Sequence, residues 1–506
     1  MLVITGDTLA GYTKGATRFR HRLVYSQLIE FLGQTNEKIC LLYGLRRTGK
    51  TTLLRQAAAA MPPELTAVIE IKEGDSFVDL EQTLEAFYKE QKIKYVFIDE
   101  ITRLSRFIDC SSILADAYAN LGLRIVCSGT DSLGFYFASL DSLFSRCVLV
   151  HTTFISFAEY CYLFGACDID RFIEVGGTLE SASFSSPELT TGYTMSAIAE
   201  NIQHSLRNFK HGVSLYGLQQ LYHNNELTNV INRIVEDLNH EFSMEVIERV
   251  FSSFDLKQTL SNCLKDPKRC TMPILTADFE SVINVYSVGL NLKPYSQLIS
   301  EITPQILSRL YGYLQTLELV SSYKHVYVES LEDTPAVADR AIITQIGLRY
   351  SQVSQLCAAL KATLYLTLAQ DTETLSSGIL EEAKGRILKE WVIFETQRTL
   401  NKGELLYRVT FSRGEFDMVV IRPQSNEVEL YEIKHALKQN PRQIKNLIND
   451  QLCNWASRLG RITKKIVLYR GETLPPKNGI EYINVMEYLC RLHPEIPITA
   501  GQTKYF

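Results

Sequence analysis

Residues 44–51, GLRRTGKT, constrain the fold of this 506-residue chain more than any other feature. They fit the pattern GxxxxGK[ST] in full, with the apolar run ICLLY before them and the helix-forming run TLLRQAAAA after them. Glycines let a backbone wrap closely enough for its N–H groups to point at phosphate oxygens, and a helix N-terminus adds positive potential. The segment therefore predicts a nucleotide phosphate-binding loop, here called the phosphate loop.

The predicted roles within the phosphate loop follow from the chemistry of its side chains. We expect Lys50 to reach the β- and γ-phosphates of ATP and the Thr51 hydroxyl to ligate Mg²⁺. Two arginines in the loop could add phosphate contacts or close onto a partner domain. The predicted nucleotide-binding set is Gly44, Arg46, Arg47, Thr48, Gly49, Lys50, Thr51 and Thr52.

A second motif, KYVFIDE at residues 94–100, is an apolar strand that ends in two carboxylates. Asp99 is expected to hold Mg²⁺ through water, and Glu100 to polarise the attacking water. A P-loop kinase needs no water-activating base, so the pair favours a hydrolase.

Two further residues border predicted strands: Ser128 follows the strand 123–127, and Arg146 directly precedes the strand 147–151. Ser128, with Thr130 as runner-up, would lie between the two motifs and sense the γ-phosphate. Arg146 could act as an arginine finger on a neighbouring subunit's nucleotide, or could form a structural salt bridge.

Apolar runs alternate with helical stretches from residue 38 to 151, which predicts a parallel sheet covered on both faces and hence an α/β fold. The predicted strands are 39–43, 67–71, 95–98, 123–127 and 147–151, and the predicted helices are 51–60, 80–91, 108–120 and 132–144. We place this ATPase domain at residues 1–155.

The sequence pattern changes in the middle of the chain. Residues 156–270 are predicted to be helical, with a break at Gly176-Gly177. In residues 271–375 the predicted helices 278–288, 295–301 and 304–317 precede the alternating segment 320–329 and the run 340–345. This is the order of a winged helix-turn-helix, although a small α+β domain without a nucleic-acid role fits it too.

Residues 376–506 are predicted to form a last α/β unit, with a helix at 379–400, strands at 405–411, 417–421, 427–433 and 465–469, and a helix at 441–458. Period two places Glu432 and Lys434 on one face of a strand, and a hairpin would bring Asp417 near them. Asp417 and Glu432 could hold Mg²⁺ and, with Lys434, support attack on a phosphodiester. Glu390, or else Glu395, could supply a fourth group. A surface hairpin, or the right fold without cleavage activity, would give the same pattern.

Composition limits the partners. The formal net charge of -5 excludes a globally basic nucleic-acid coat protein. A local basic stretch remains, because residues 434–470 contain nine Lys or Arg and one acid. It could follow a DNA backbone, or be a solvated face. We expect no transmembrane helix, no signal peptide and buried thiols, and hence a cytoplasmic protein.

The runs LLYGLRRTGKTTLL, YVFIDEITRL, IVCSGTDS and SRCVLVHTTFISFAEY resemble bacterial and archaeal AAA+-type ATPases grouped near the STAND NTPases. The run RFIEVGGTLES looks like the glycine-pair motif of that group. RLYGYLQTLELVSSYKHVY and RAIITQIGLRYSQ resemble its winged-helix segment. The resemblance extends from about residue 15 to 470.

The resemblance implies that the C-terminal domain has a restriction-endonuclease, or PD-(D/E)XK, fold. The matching residues are 414–420 and 430–434, and the proline of the PD motif is absent because Phe416 precedes Asp417. We therefore expect an ATP-regulated DNA-processing enzyme. The alternatives are a nucleotide-dependent switch or homo-oligomeric scaffold with an inactive nuclease-like domain, and an adaptor for a partner protein.

Overall fold

The computed structural model describes residues 1–179 and 302–496, together with a few residues between them. Short gaps interrupt both parts. They lie at 36, 46, 92, 105–106, 130–134, 136–142, 166–167, 178, 317, 331–333 and 365–368, and the isolated described residues are Glu226, Val230, Ile234, Phe242 and Val246. The described chain contains a six-stranded sheet and an eight-stranded sheet.

The six-stranded sheet occupies the N-terminal part. Its strands are β1 (Leu2–Thr5), β2 (Ile39–Tyr43), β3 (Thr66–Glu70), β4 (Tyr95–Asp99), β5 (Arg124–Ser128) and β6 (Cys147–His151), in the spatial order β1-β3-β4-β5-β2-β6. All neighbours run parallel except β1, which is antiparallel to β3. The predicted parallel sheet is confirmed. β1 was not among the predicted strands, because the alternation of apolar runs and helical stretches was followed only from residue 38 onward.

Helices cover both faces of this sheet. They are α1 (Asp7–Thr13), α2 (Tyr25–Gly33), α3 (Lys50–Ala59), α4 (Phe77–Ala86) and α5 (Phe107–Cys110), followed by α6 (Phe157–Phe164) and α7 (Ile169–Val175). Alternate residues of one strand enter different cores: Ile39 and Leu41 pack in one apolar cluster, Cys40 and Leu42 in the other. Burial on both faces explains why these strands are continuous apolar runs. The predicted helix 132–144 lies mostly outside the described residues.

The eight-stranded sheet occupies the C-terminal part. Its strands are β7 (Val320–Val328), β8 (Ala336–Ile343), β9 (Leu405–Phe411), β10 (Gly414–Arg422), β11 (Glu427–Lys434), β12 (Arg461–Tyr469), β13 (Leu474–Lys477) and β14 (Ile480–Asn484), in the order β13-β14-β12-β11-β10-β9-β7-β8. The hairpin β7–β8 was predicted to be a wing of the preceding domain. It joins this sheet instead, because β7 pairs in parallel with β9.

Five described helices accompany this sheet: α8 (Pro304–Thr316), α9 (Ile346–Leu364), α10 (Ala369–Thr399), α11 (Asp450–Ala456) and α12 (Val485–Arg491). The single predicted helix 441–458 is wrong. A 3-10 turn at Pro441–Ile444 and α11 replace it, since Asn440 and Asn449 each cap a separate helical start. The predicted helices 278–288 and 295–301 lie outside the described residues, and the domain boundaries stay predictions.

Two expectations about the environment concern cysteines and membranes. The cysteines within the described ranges are thiols, and most are buried, including Cys40 and Cys127. No helix among the described residues is both long and apolar enough to span a bilayer.

Candidate functional site

Two glycines shape the phosphate loop between β2 and α3. Gly44 has φ +148°, and a Cβ there would lie 2.2 Å from Thr152 Oγ1. Gly49 has φ +90° and directly precedes the first residue of α3, Lys50. Side chains are disfavoured at both positions, so the glycines of the motif are required by backbone conformation and close approach.

Lys50 lies inside the curve of the loop. Its ammonium donates hydrogen bonds to the carbonyl oxygens of Gly44 at 2.8 Å and Leu45 at 2.9 Å. The Thr48 hydroxyl also donates to Leu45 O, at 2.7 Å. Two neutral carbonyls thus hold the Lys50 ammonium inside the curve of the loop.

The remaining predicted loop residues are Arg46, Arg47, Thr51 and Thr52. Arg46 lies outside the described residues. Arg47 has φ +61°, and its carbonyl accepts a hydrogen bond from the Leu179 amide at 3.0 Å. Thr51 and Thr52 are half-buried in the first turn of α3. The segment that follows Gly176-Gly177 thus contacts the phosphate loop through Leu179.

Asp99 and Ser128 meet at the carboxyl ends of β4 and β5. The Ser128 hydroxyl donates to the Asp99 carboxylate, and the Thr51 hydroxyl hydrogen-bonds to the same carboxyl group. Burial raises the pKa of Asp99, while the two hydroxyls act in the opposite direction. Sequence reasoning placed these three residues together, and the structure does so. The runner-up, Thr130, lies outside the described residues.

Glu100 follows Asp99 in a left-handed conformation, with φ +57°. Its amide donates to Asp99 Oδ1 at 3.1 Å, and its carboxylate lies 3.7 Å from Arg103 Nε. The Glu100 side chain is 24% exposed. The turn thus directs Asp99 and Glu100 differently, with one carboxylate buried and the other open to water. Activation of water by Glu100 stays a prediction.

Arg146 forms an ion pair within the chain. Its Nε lies 2.7 Å from Asp116 Oδ1, and both side chains are about half exposed. The Arg146 carbonyl accepts a hydrogen bond from the amide of Ile39, the first residue of β2. These contacts fit the salt-bridge alternative, and an arginine-finger role stays a prediction.

Sequence reasoning missed a buried ion pair behind the phosphate loop. Arg22 and Glu159 are 4% and 2% exposed, with Arg22 Nε 2.7 Å from Glu159 Oε1. The available signal was Glu159 itself, the one charge in the otherwise apolar helix FAEYCYLF. A charged residue in such a helix is seldom fully buried without a partner.

A second group of polar residues, here called the acid–lysine cluster, comprises Lys389, Glu415, Asp417, Glu432 and Lys434. Fully buried Asp417 accepts from Lys389 Nζ at 2.6 Å, Lys434 Nζ at 3.0 Å and the Ile433 amide at 2.8 Å. A bulge in β10 after Phe416 shifts the register near Asp417. The structure thus brings Asp417 and Lys434 together, as predicted from strand periodicity.

The pKa values of Asp417 and Glu432 are shifted in opposite directions. Burial alone would raise the pKa of Asp417, but Lys389, Lys434 and the Ile433 amide hold it well below its ordinary value. Burial and the charge of Asp417 raise the pKa of Glu432 to about 8. Glu432 Oε2 lies 2.5 Å from Lys434 Nζ, and Glu432 Oε1 accepts from Asn446 at 2.9 Å.

The acid–lysine cluster does not fit a resident Mg²⁺. The carboxylate oxygens of Asp417 and Glu432 are already bound by ammonium and amide donors. No group of three His, Cys, Asp or Glu side chains in the described ranges is arranged to hold a metal ion. The assignment of Asp417 and Glu432 as metal ligands therefore stays a prediction that these contacts do not favour.

The helix residue in the acid–lysine cluster is Lys389, and the predicted Glu390 is not part of it. Glu390 forms an ion pair with Arg349 of α9, whose side chain is 4% exposed. Glu395, the other candidate, accepts from the Phe157 amide and from Trp391 Nε1, each at 2.6 Å. Both glutamates make contacts between helices rather than with Asp417.

The predicted basic stretch is not one continuous face. Arg461 and Lys464 pair with acids of β11, and Arg470 pairs with Asp170 of α7 at 2.6 Å. Lys438, Arg442 and Lys445, also in this stretch, are exposed.

Residues 36–161 match the protein-family model described as "AAA domain". No curated protein matches the chain. Among solved structures, it resembles Hsp104 of S. cerevisiae in complex with casein, at 14% identity and a TM-score of 0.26, with 50% of this chain and 51% of that chain covered. The chain thus spans about half the length of that Hsp104 chain.

Two other solved structures are similar over larger shares of their own length. The Thermotoga maritima RuvB Holliday junction branch migration motor matches at 14% identity and a TM-score of 0.23, covering 60% of this chain and 90% of that one. The Aeropyrum pernix Orc1 protein in complex with DNA matches at 14% and 0.21, covering 66% and 91%. At such low scores these likenesses carry no argument about function. The segment that matches the AAA domain model, residues 36–161, contains the phosphate loop, Asp99, Glu100, Ser128 and Arg146.

Proposed function

We propose that the N-terminal part of this protein binds ATP with Mg²⁺ and hydrolyses it. The observation that carries this proposal is the convergence of three strand ends: the phosphate loop after β2, Asp99 at the end of β4 and Ser128 at the end of β5. Ligands of open α/β sheets bind at the carboxyl ends of the strands. The AAA domain match over residues 36–161 supports the same activity.

The residues at this edge fit Mg²⁺, because the Thr51 hydroxyl and the Asp99 carboxylate are oxygen ligands of the kind it prefers. When bound, Mg²⁺ would neutralise charge on the β- and γ-phosphates. Lys50 would bind phosphate oxygens, and Ser128 would hold the Asp99 carboxylate in place. Glu100, which is open to water, would accept a proton from the attacking water.

Contacts between the two parts of the chain support coupling of the nucleotide state to the C-terminal part. Glu395 of α10 accepts from the Phe157 amide at the start of α6. Asp170 of α7 pairs with His435 and Arg470, each at 2.6 Å. His435 directly follows Lys434 in the chain. A movement of α7 would therefore be transmitted through His435 to Lys434 of the acid–lysine cluster.

DNA is the proposed target of the C-terminal part. Support comes from the convergence of Asp417, Glu432 and Lys434, and from the succession of α10, three antiparallel strands, a helix and the parallel strand β12. That succession resembles the restriction-endonuclease fold. The exposed Lys438, Arg442 and Lys445 would contact phosphates.

A second candidate function is a nucleotide-dependent switch or oligomeric scaffold whose C-terminal part does not cut. The occupation of the Asp417 and Glu432 oxygens by lysines and an amide favours it. In this reading the acid–lysine cluster is a structural element, and a partner protein or DNA would be bound rather than cleaved.

The test is an ATPase assay with and without DNA on wild type, Lys50→Ala and Lys434→Ala, beside a DNA cleavage assay with Mg²⁺. Hydrolysis that depends on Lys50 supports the ATPase. Nucleotide-dependent cleavage that is lost in Lys434→Ala supports the nuclease. Assembly in ATP but not in ADP, measured by light scattering and without cleavage, supports the switch. Wild-type protein that neither binds nor hydrolyses ATP contradicts the whole proposal.

A further inference from the structure

We infer that Arg22 is a positioning residue of the nucleotide site: it holds the back of the phosphate loop in the conformation that receives ATP. The inference rests on the proposed ATPase function. Arg22 lies outside the matched AAA segment, 22 residues before the loop starts at Gly44. It donates to the Thr48 carbonyl oxygen of the loop, so it occupies none of the amide donors that a phosphate would use.

All the N–H donors of Arg22 are used. Nη1 donates to Thr48 O at 2.6 Å and to Thr152 O at 2.9 Å, while Nη2 donates to Phe154 O at 2.7 Å and to Glu159 Oε2 at 3.1 Å. Nε donates to Glu159 Oε1 at 2.7 Å. A guanidinium carries about five donors in a fixed plane, so this set of acceptors saturates it.

The stem of Arg22 packs against the same loop. A Cβ on Gly49 would lie 3.8 Å from Arg22 Cδ and 3.9 Å from Arg22 Cγ. Thr48 and Gly49 immediately precede Lys50, so one side chain supports the two residues that set the direction of the lysine. A shift of Arg22 would move the start of α3 and the ammonium of Lys50 together.

Arg22 also fixes the segment that follows β6, which contacts the loop from its other side. The Thr152 and Thr48 hydroxyls are hydrogen-bonded at 2.7 Å, and Thr153 Oγ1 accepts from the Leu45 amide at 3.2 Å. Because Arg22 binds Thr152 O and Phe154 O as well as Thr48 O, it holds the loop and this segment in one register.

Glu159 compensates the positive charge of the buried Arg22 guanidinium. It binds Arg22 through both carboxylate oxygens and also accepts from the Leu23 amide at 2.8 Å. The Ser156 side chain caps α6 by accepting from the Glu159 amide at 3.1 Å. Lysine cannot replace Arg22, because an ammonium is a point donor and cannot span three carbonyls and a carboxylate.

The experiment uses the full chain as wild type, Arg22→Lys, Arg22→Ala and Arg20→Ala. Arg20 is the matched control, because it is exposed, lies two residues away and contacts the Tyr162 carbonyl rather than the loop. Each folded variant is measured by circular dichroism, by titration with a fluorescent ATP analogue and with ADP, and by steady-state ATPase kinetics. Arg22→Lys retains the charge that balances Glu159, so it gives a result even where Arg22→Ala does not fold.

The expected result for Arg22→Lys is a rise of at least about tenfold in the Kd of both nucleotides and in KM, with a smaller fall in kcat. Arg20→Ala should match wild type. A merely structural role would lower the active fraction and leave KM unchanged. A folded Arg22→Lys with Kd and KM within about twofold of wild type overturns the inference. If wild type does not bind ATP at all, the proposed function fails, which is a separate outcome.

Discussion

The phosphate loop and the acid–lysine cluster both contain a buried lysine, but the lysines have different partners. Lys50 is held by two neutral backbone carbonyls from its own loop. Lys434 is held by the carboxylates of Asp417 and Glu432. The Lys50 ammonium can exchange these carbonyls for phosphate oxygens, whereas the Lys434 ammonium is already paired with acidic side chains.

The comparison teaches that the groups around a buried charge, and not its burial alone, determine what removal of that charge costs. At the phosphate loop, removal of the lysine should cost activity and little stability. At the acid–lysine cluster, removal of one charge should cost stability first, because the remaining buried charges lose a partner. The predictions below test this contrast.

The largest expected effect is on hydrolysis in Lys50→Ala. Loss of the phosphate-binding ammonium should reduce the ATPase rate by about 10³-fold, measured by phosphate release. The melting temperature should stay close to that of wild type. Lys89→Ala is the control, because Lys89 lies exposed in the same part of the chain and pairs with Glu85. Equal loss of rate in both variants would contradict the assigned role of Lys50.

Asp417→Ala should instead destabilise the fold, by about 3–5 kcal/mol, as expected when one partner of a buried ion pair is removed. Urea unfolding followed by circular dichroism measures this loss. Lys389 and Lys434 would lose the buried carboxylate that they share and would retain only Glu415 and Glu432 as acidic neighbours within the cluster.

The double variant Asp417→Ala with Lys389→Met, measured beside each single variant, provides the check. Its loss of stability should be smaller than the sum of the two single losses, since the pair is removed together. Additive losses would mean that Lys389 and Asp417 do not interact.

Glu100→Gln should retain ATP binding but lower turnover by about 10²-fold, because glutamine cannot accept a proton from water. Binding is measured by titration and turnover under single-turnover conditions. Unchanged turnover would remove Glu100 from the mechanism. Glu64→Gln, at an exposed position before β3, is a suitable control.

The last prediction concerns the pH dependence of stability that comes from Glu432. Its pKa is raised from 4.5 to about 8, so the folded state binds this proton more tightly than the unfolded chain does. The associated stability is full below pH 4.5 and is lost as the pH rises to about 8, by at most about 1.4 kcal/mol per pH unit.

Urea unfolding of wild type and Glu432→Gln between pH 5 and about 8 tests this. The variant should show a flatter profile over that interval. Asp417 does not add to the change in stability over this interval, because its pKa is lowered and its contribution to stability is lost only at acid pH. Parallel profiles for the two proteins would contradict the raised pKa.

The same contrast explains what the sequence could and could not predict. The phosphate loop is contiguous and its geometry is local, so Gly44, Gly49 and Lys50 could be placed from the pattern alone. Strand alternation was enough to bring Asp417 to Lys434, because register in a hairpin follows from period two. Both parts rest on short-range geometry.

Contacts between residues that are far apart in the sequence were harder to predict. Successive residues of a helix point about 100° apart, so the choice between Lys389 and Glu390 depends on which face of α10 packs on the sheet. Arg22 and Glu159 are 137 residues apart, and no spacing rule relates them. The hairpin β7–β8 has the pattern of a wing, and only pairing with β9 shows that it belongs to the C-terminal sheet.

That pairing decides where this chain can be divided. A fragment that starts at the predicted boundary, residue 376, would lose β7 and β8 and leave β9 as a bare sheet edge. Unpaired strand edges recruit other chains and promote aggregation. The smallest transferable piece of the C-terminal part must therefore begin before Val320, so the hairpin, α9, α10 and the remaining strands would be inherited, exchanged or engineered as a single block.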